Sequence, residues 1–159
     1  MDRGLKEGCI SCEVITGKSI PPGGIVYEDA FWLVFLHSQP LLVAGQGFIV
    51  LKRHCEHLAE LEPAEAAALG PLIQRTAQVM DRTLQPVKTH FGLYAEGVKH
   101  LHLHVLPRVA TLPAGNIPVT FLEIWYETLA RLHLKRPYSN KAVVEVAHKL
   151  RAAFQALST

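Results

Sequence analysis

The stretch His100-Leu101-His102-Leu103-His104 constrains this chain more than any other feature. On a β-strand, successive side chains point to opposite faces, so residues at i, i+2 and i+4 share a side. The three imidazoles then line one face, neighbours roughly 6–7 Å apart along the strand. Leu101, Leu103 and Val105 line the other and make a natural core face. Three imidazoles in a row make a poor core and a costly surface, which points to a site. An imidazole with an ordinary pKa of about 6.5 can act at neutral pH as nucleophile, acid or phosphate donor. Two other readings fit the bare pattern: an exposed histidine-rich face, or a metal cage built from His102 and His104.

The surrounding sequence reads as α+β, an antiparallel sheet flanked by helices. Pro21-Pro22-Gly23-Gly24 breaks the chain before a strand at Ile25-Val26-Tyr27, and Phe31–Leu36 reads as a buried strand. Pro40 to Gly47 reads as a loop leading to a strand at Phe48–Leu51. Glu62-Pro63 opens a helix whose Leu69, Ile73, Ala77, Met80 and Leu84 form one apolar stripe. Gly70-Pro71 predicts a kink or restart inside it, and Pro86 ends it. Lys88–Ala95 and Val98–Pro107 read as paired strands joined by a tight hairpin at Glu96-Gly97. Phe121–Leu132 is partly helical. Ser139 or Asn140 caps a last helix with the stripe Val143, Val146, Leu150, Phe154 and Leu157.

The 159 residues suit one domain, with a triad core at about 9–108 and a helical C-terminal extension at 120–157. A formal charge of +2 argues against a nucleic-acid or membrane surface as partner. Met1 to Gly8 does not resemble a secretory leader, and the longest apolar runs fall far short of a membrane span. Three cysteines form no disulfide framework, so a reducing, cytoplasmic setting is expected.

His100-Leu101-His102-Leu103-His104-Val105-Leu106-Pro107-Arg108 resembles the histidine triad signature, and Val26-Tyr27-Glu28-Asp29, Phe35-Leu36, Gly45 and Lys52-Arg53-His54 follow that family's N-terminal order. The resemblance spans roughly residues 9 to 108. It implies an α+β homodimer that binds a nucleotide substrate. His102 would attack the α-phosphate of a dinucleoside polyphosphate or nucleoside phosphoramidate, and His104 would contact the phosphate or leaving group. Nearby donors would hold the charge that develops on the phosphoryl oxygens. A nucleotide binder with little or no catalysis is the alternative.

The pair Cys9 and Cys12 has a C-x-x-C spacing that lets both sulfurs reach one metal. Taken alone it also suits a redox pair or two buried free thiols. The resemblance completes it with His54 and His100 as a closed Cys₂His₂ set for structural zinc, with His57 and Cys55 close enough to compete. Three positions depart from the family pattern. His37 stands where an acidic or amide side chain usually holds the ribose hydroxyls, and Glu96 where a phosphate-contacting glutamine is usual. Lys99 is then the available compensating cation. Gln46 replaces a histidine that many relatives carry, a milder change.

Overall fold

The computed structural model describes residues 4–38, 43–94, 96–112, 119–134 and 138–157. Residues 40–42 of the loop expected from Pro40 to Gly47, Ala95 of the expected hairpin, and 135–137 lie outside that set.

Five strands form one antiparallel sheet: β1 (Ile25–Glu28), β2 (Trp32–Leu36), β3 (Gly47–Leu51), β4 (Lys88–Gly92) and β5 (His102–Arg108), in the order β1-β2-β3-β5-β4. The α+β architecture expected from the sequence is therefore present. β2 is buried along its whole length, as its unbroken apolar run requires when both faces of a sheet are covered. Trp32, Val34 and Leu36, with Ile49, Leu51, Leu103 and Val105, build the main core on one face. Leu33, Phe35 and Val50 point the other way.

The main core is closed by α2 (Pro63–Leu84) and α4 (Asn140–Ala156). Glu62 and Glu65 form a reciprocal capping box at the start of α2, and Gln85 ends it in the left-handed conformation just before Pro86. The helix runs unbroken through Gly70-Pro71, so the expected restart does not occur. Both residues face solvent, and a glycine before proline has no Cβ to meet the ring. The buried line of α2 is also rotated from the expected stripe: Glu65, Leu72, Thr76, Val79 and Met80 are buried, with Leu69, Ile73 and Leu84 at its margin. Ser139 caps α4, its hydroxyl accepting from the Ala142 N–H at 3.3 Å, and Val143, Ala147, Leu150 and Phe154 are buried. Arg151 donates to the carbonyls of Gly23 and Ile25, tying α4 to the turn that precedes β1.

The opposite face receives α1 (Ile10–Ile15). Cys9 is its N-cap and Cys12 lies one turn on, so helical spacing brings the two sulfurs together. α3 (Val119–Arg131) buries Tyr126 beside Val43, Leu106 and Leu112, and leaves Phe121, Ile124 and Trp125 exposed.

The expected tight hairpin at Glu96-Gly97 is replaced by a longer connection. β4 ends at Gly92 and β5 starts at His102, leaving 93–101 between the strands. Leu101 sends its N–H to the Cys55 carbonyl at 2.7 Å, and its carbonyl accepts from the Leu51 N–H at 3.3 Å. His100 is thus held just outside the strand rather than on it.

Candidate functional site

The three histidines divide between two places. His102 and His104 share the sheet face that also carries Phe48, and their rings lie 5.1 Å apart. Phe48 contacts both edge-on, at 5.4 Å and 5.0 Å. His100 turns away to the end of the sheet and meets Cys9, Cys12 and His54. A common face for all three, as period-two alternation predicts, is therefore not formed.

His102 is buried, and its Nδ1 lies 2.7 Å from the His100 carbonyl oxygen. A carbonyl only accepts, so Nδ1 carries the hydrogen and Nε2 keeps its lone pair. Burial moves the His102 pKa below the usual 6.5, partly offset by that bond. His102 lines a cleft of about 310 Å³, together with Phe35, Phe48 and Val50 from the sheet, Val14 from α1 and Ile20 from the turn after it. A concave, mostly apolar cleft with a few polar groups is of the kind that takes a small ligand. His37 also lines it, with its ring against Phe48 at 4.9 Å and Nδ1 donating to the Ser38 carbonyl. The apolar walls from α1 and from 19–22 were not identified from the sequence. Ile10, Val14 and Ile20 look there like ordinary core residues.

Glu96 and Lys99 are exposed in the 93–101 connection and line no part of this cleft. Lys99 instead borders a shallow depression beside the cysteines, with Lys6 and Glu56. Gln46 is buried; its carbonyl accepts from the His37 N–H at 2.9 Å.

Cys9, Cys12, His54 and His100 offer four ligand atoms within 4.8 Å of one another. Among the described residues this is the one grouping of three or more His, Cys, Asp or Glu placed to hold a metal ion, and it does not include His102 or His104. Sulfur to Nδ1 separations are 3.5 Å for Cys9–His100, 3.4 Å for Cys12–His54 and 3.5 Å for Cys12–His100. With zinc bonds of about 2.3 Å to sulfur and 2.0–2.1 Å to nitrogen, a tetrahedron has S···N edges of about 3.5 Å. The four residues fit a metal ion of that size.

The outer partners fit as well. His100 donates from Nε2 to the Leu51 carbonyl at 2.7 Å, which leaves Nδ1 unprotonated toward the sulfurs. His54 places Nε2 3.4 Å from Glu56, the familiar carboxylate behind a ligating imidazole. Burial lowers the His100 pKa to about 4, against the bond to Leu51 that raises it, so the ring is neutral as a ligand must be. Burial pushes the Cys12 thiol up, while the Lys6 N–H, 3.4 Å from its sulfur, favours the thiolate. Cys55 sits apart, donating to the His57 carbonyl at 3.2 Å, and His57 is not in the set.

The HIT-domain family model matches residues 20–111 of this chain. The chain belongs to the HIT family. An uncharacterized HIT-like protein of Mycobacterium tuberculosis is 31% identical over 104 residues, covering 62% of this chain and 70% of its own length. The asymmetrical bis(5'-nucleosyl)-tetraphosphatase of Schizosaccharomyces pombe is 23% identical over 116 residues, 69% of this chain and 63% of that protein. A zinc-bound histidine triad family protein from Mycobacterium smegmatis has a similar fold, with a TM-score of 0.69, 22% identity, and 95% and 96% of the two chains covered. Diadenosine triphosphate hydrolase of Plasmodium falciparum superposes with a TM-score of 0.61 at 14% identity, over 85% of this chain and 78% of that one. The HIT family thus includes nucleotide hydrolases among the relatives of this chain.

Proposed function

We propose that this HIT protein hydrolyses or transfers nucleotidyl groups from a dinucleoside polyphosphate or nucleoside phosphoramidate, with His102 as the nucleophile. The observation that carries this reading is the 2.7 Å bond from His102 Nδ1 to the His100 carbonyl. It leaves the Nε2 lone pair for attack and gives the positive charge of the intermediate a fixed acceptor.

In the first step Nε2 bonds to the α-phosphorus while the bond from phosphorus to the leaving oxygen or nitrogen breaks. His104, one ring away, hands a proton to the leaving group. Water then attacks the same phosphorus and gives a proton back to His104, the N–P bond breaks with its electron pair returning to Nε2, and a nucleoside monophosphate leaves. The apolar cleft takes the base, and His37 offers its imidazole to the ribose. Glu96 and Lys99 stand outside the cleft, so contact with the phosphates requires the 93–101 connection to close over them.

Cys9, Cys12, His54 and His100 would hold a structural zinc ion, which supplies cross-linking rather than chemistry. The likeness to the zinc-bound mycobacterial protein supports this. A homodimer in the cytoplasm belongs to the same reading, and sedimentation of the purified protein tests the dimer.

A second reading is favoured by the absence, among the described residues, of any lysine or arginine lining the cleft: a nucleotide binder without efficient turnover. The test incubates the protein with diadenosine polyphosphates and adenosine phosphoramidate. The enzyme reading expects AMP release, and loss of it in His102→Ala. AMP binding in calorimetry with no product from any substrate favours the binder. Undiminished turnover in His102→Ala removes this residue from the mechanism.

A further inference from the structure

His104 sits at the centre of a row that crosses three strands. In register, Phe48 of β3 lies opposite His104 of β5 on one side, and Gly92 of β4 lies opposite it on the other. Directly opposed residues of an antiparallel pair put their side chains on the same face, next to each other. Phe48 fills its place and meets His104 edge-on at 5.0 Å. Gly92 has no side chain to fill the other place.

Tyr94 fills it instead. Its ring folds back over Gly92, so that a Cβ on residue 92 would lie 2.7 Å from Tyr94 Cε2 and from its hydroxyl oxygen. The same ring meets His104 at 5.5 Å with the planes inclined by 68°. Aromatic rings thus bracket His104, Phe48 from β3 and Tyr94 from just beyond β4, while His102 lies along the third side. Tyr94 is partly exposed at 39%, so its place over Gly92 is not forced by general burial. The missing side chain at 92 makes room for it.

We infer that Tyr94 is a positioning residue that holds the His104 imidazole in line with the phosphate leaving group, and that Gly92 is the socket which lets it do so. The inference rests on the hydrolase reading and adds to it a residue pair outside the triad. The ring, not the hydroxyl, does the holding, because the contact with His104 is an edge-to-face one. Misplacing an acid group by a fraction of an ångström weakens proton transfer more than it weakens ground-state binding, so the effect belongs in kcat.

The experiment compares wild type, Tyr94→Ala, Tyr94→Phe, Gly92→Ala and the Gly92→Ala/Tyr94→Ala pair, by steady-state AMP release and by the ¹H–¹³C NMR signal of the His104 ring. Tyr94→Ala is expected to lower kcat on the order of tenfold with KM within about twofold, and to shift the His104 ring resonance as the aromatic neighbour is lost. Tyr94→Phe is expected to keep both. Gly92→Ala, which pushes the ring out of its socket, is expected to reproduce Tyr94→Ala, and the double variant to add nothing further. An unmoved His104 resonance in Tyr94→Ala, or an unchanged kcat in an active wild type, overturns the inference. So does a Tyr94→Phe variant as impaired as Tyr94→Ala. A wild type that releases no AMP refutes the hydrolase reading instead, and the resonance then decides whether the clamp exists.

Discussion

Stripping the proposed metal ion from the Cys9, Cys12, His54 and His100 cluster is expected to release α1 and open the cleft beside it. α1 has six residues, far fewer than an isolated helix needs. Fixing the backbone of six residues costs about 6–12 kcal/mol. Burial of Cys12 and Val14, the apolar side chains of α1 that are buried, returns about 3–5 kcal/mol. The remainder must come from the cluster, which joins α1 to residues 54 and 100 across long loops. At a free metal concentration a thousandfold above the dissociation constant, binding stabilises the folded state by about 4 kcal/mol. For a chain of this length that corresponds to about 8–16 °C in Tm. The assay is thermal unfolding with and without a chelator, joined to amide exchange at residues 10–15 and calorimetry with AMP. Chelation is expected to lower Tm by that amount, speed exchange across α1 and weaken AMP binding, since Val14 and Ile10 line the cleft. Cys12→Ser should match chelated wild type and respond no further to chelator. Identical Tm, exchange and AMP affinity in both conditions would refute the reasoning.

His102→Ala is expected to abolish AMP release while leaving far-ultraviolet circular dichroism unchanged, as measured on diadenosine polyphosphate. Glu65→Gln breaks a buried carboxylate's two-pronged pairing with Arg53, at 2.8 and 2.9 Å; with Arg53 27% exposed, the cost in urea unfolding should be about 2 kcal/mol. The Arg53 bonds lower the Glu65 pKa below 4.5, so its stabilisation is full above that pH and fades as acid protonates the folded carboxylate; wild type should lose stability there more steeply than Glu65→Gln. Phe154→Ala removes a buried ring stacked 4.8 Å from Tyr27 and should cost about 3–4 kcal/mol in the same assay.

The strands and the last helix were legible because their signals are local. β2 is an unbroken apolar run, and Ser139 precedes a clean stripe. The pairing of His102 with His104 follows from alternation alone. The place of His100 does not, because the chain leaves strand geometry where Leu101 bonds to Cys55, a contact between distant segments. Cys9 and Cys12 stand out by their C-x-x-C spacing and His54 and His100 by family likeness, and the geometry brings the four together. The cleft wall from α1 was hidden for a simpler reason: an apolar residue facing a cleft and one facing a core look the same in sequence. Gly92 and Tyr94 were hidden because their meaning depends on register with His104. Gly70-Pro71 misled because a solvent-facing proline after glycine costs a helix less than an inward one would.

The acceptor that orients the His102 ring is a main-chain oxygen belonging to a residue whose own side chain sits in the cysteine cluster. No single amino-acid exchange can delete a peptide carbonyl, so mutation alone cannot strip this support away. It can be retuned through the path of the backbone at residue 100. That path is fixed where the His100 side chain meets Cys9 and Cys12, which makes the cluster a handle on how the His102 ring is aimed.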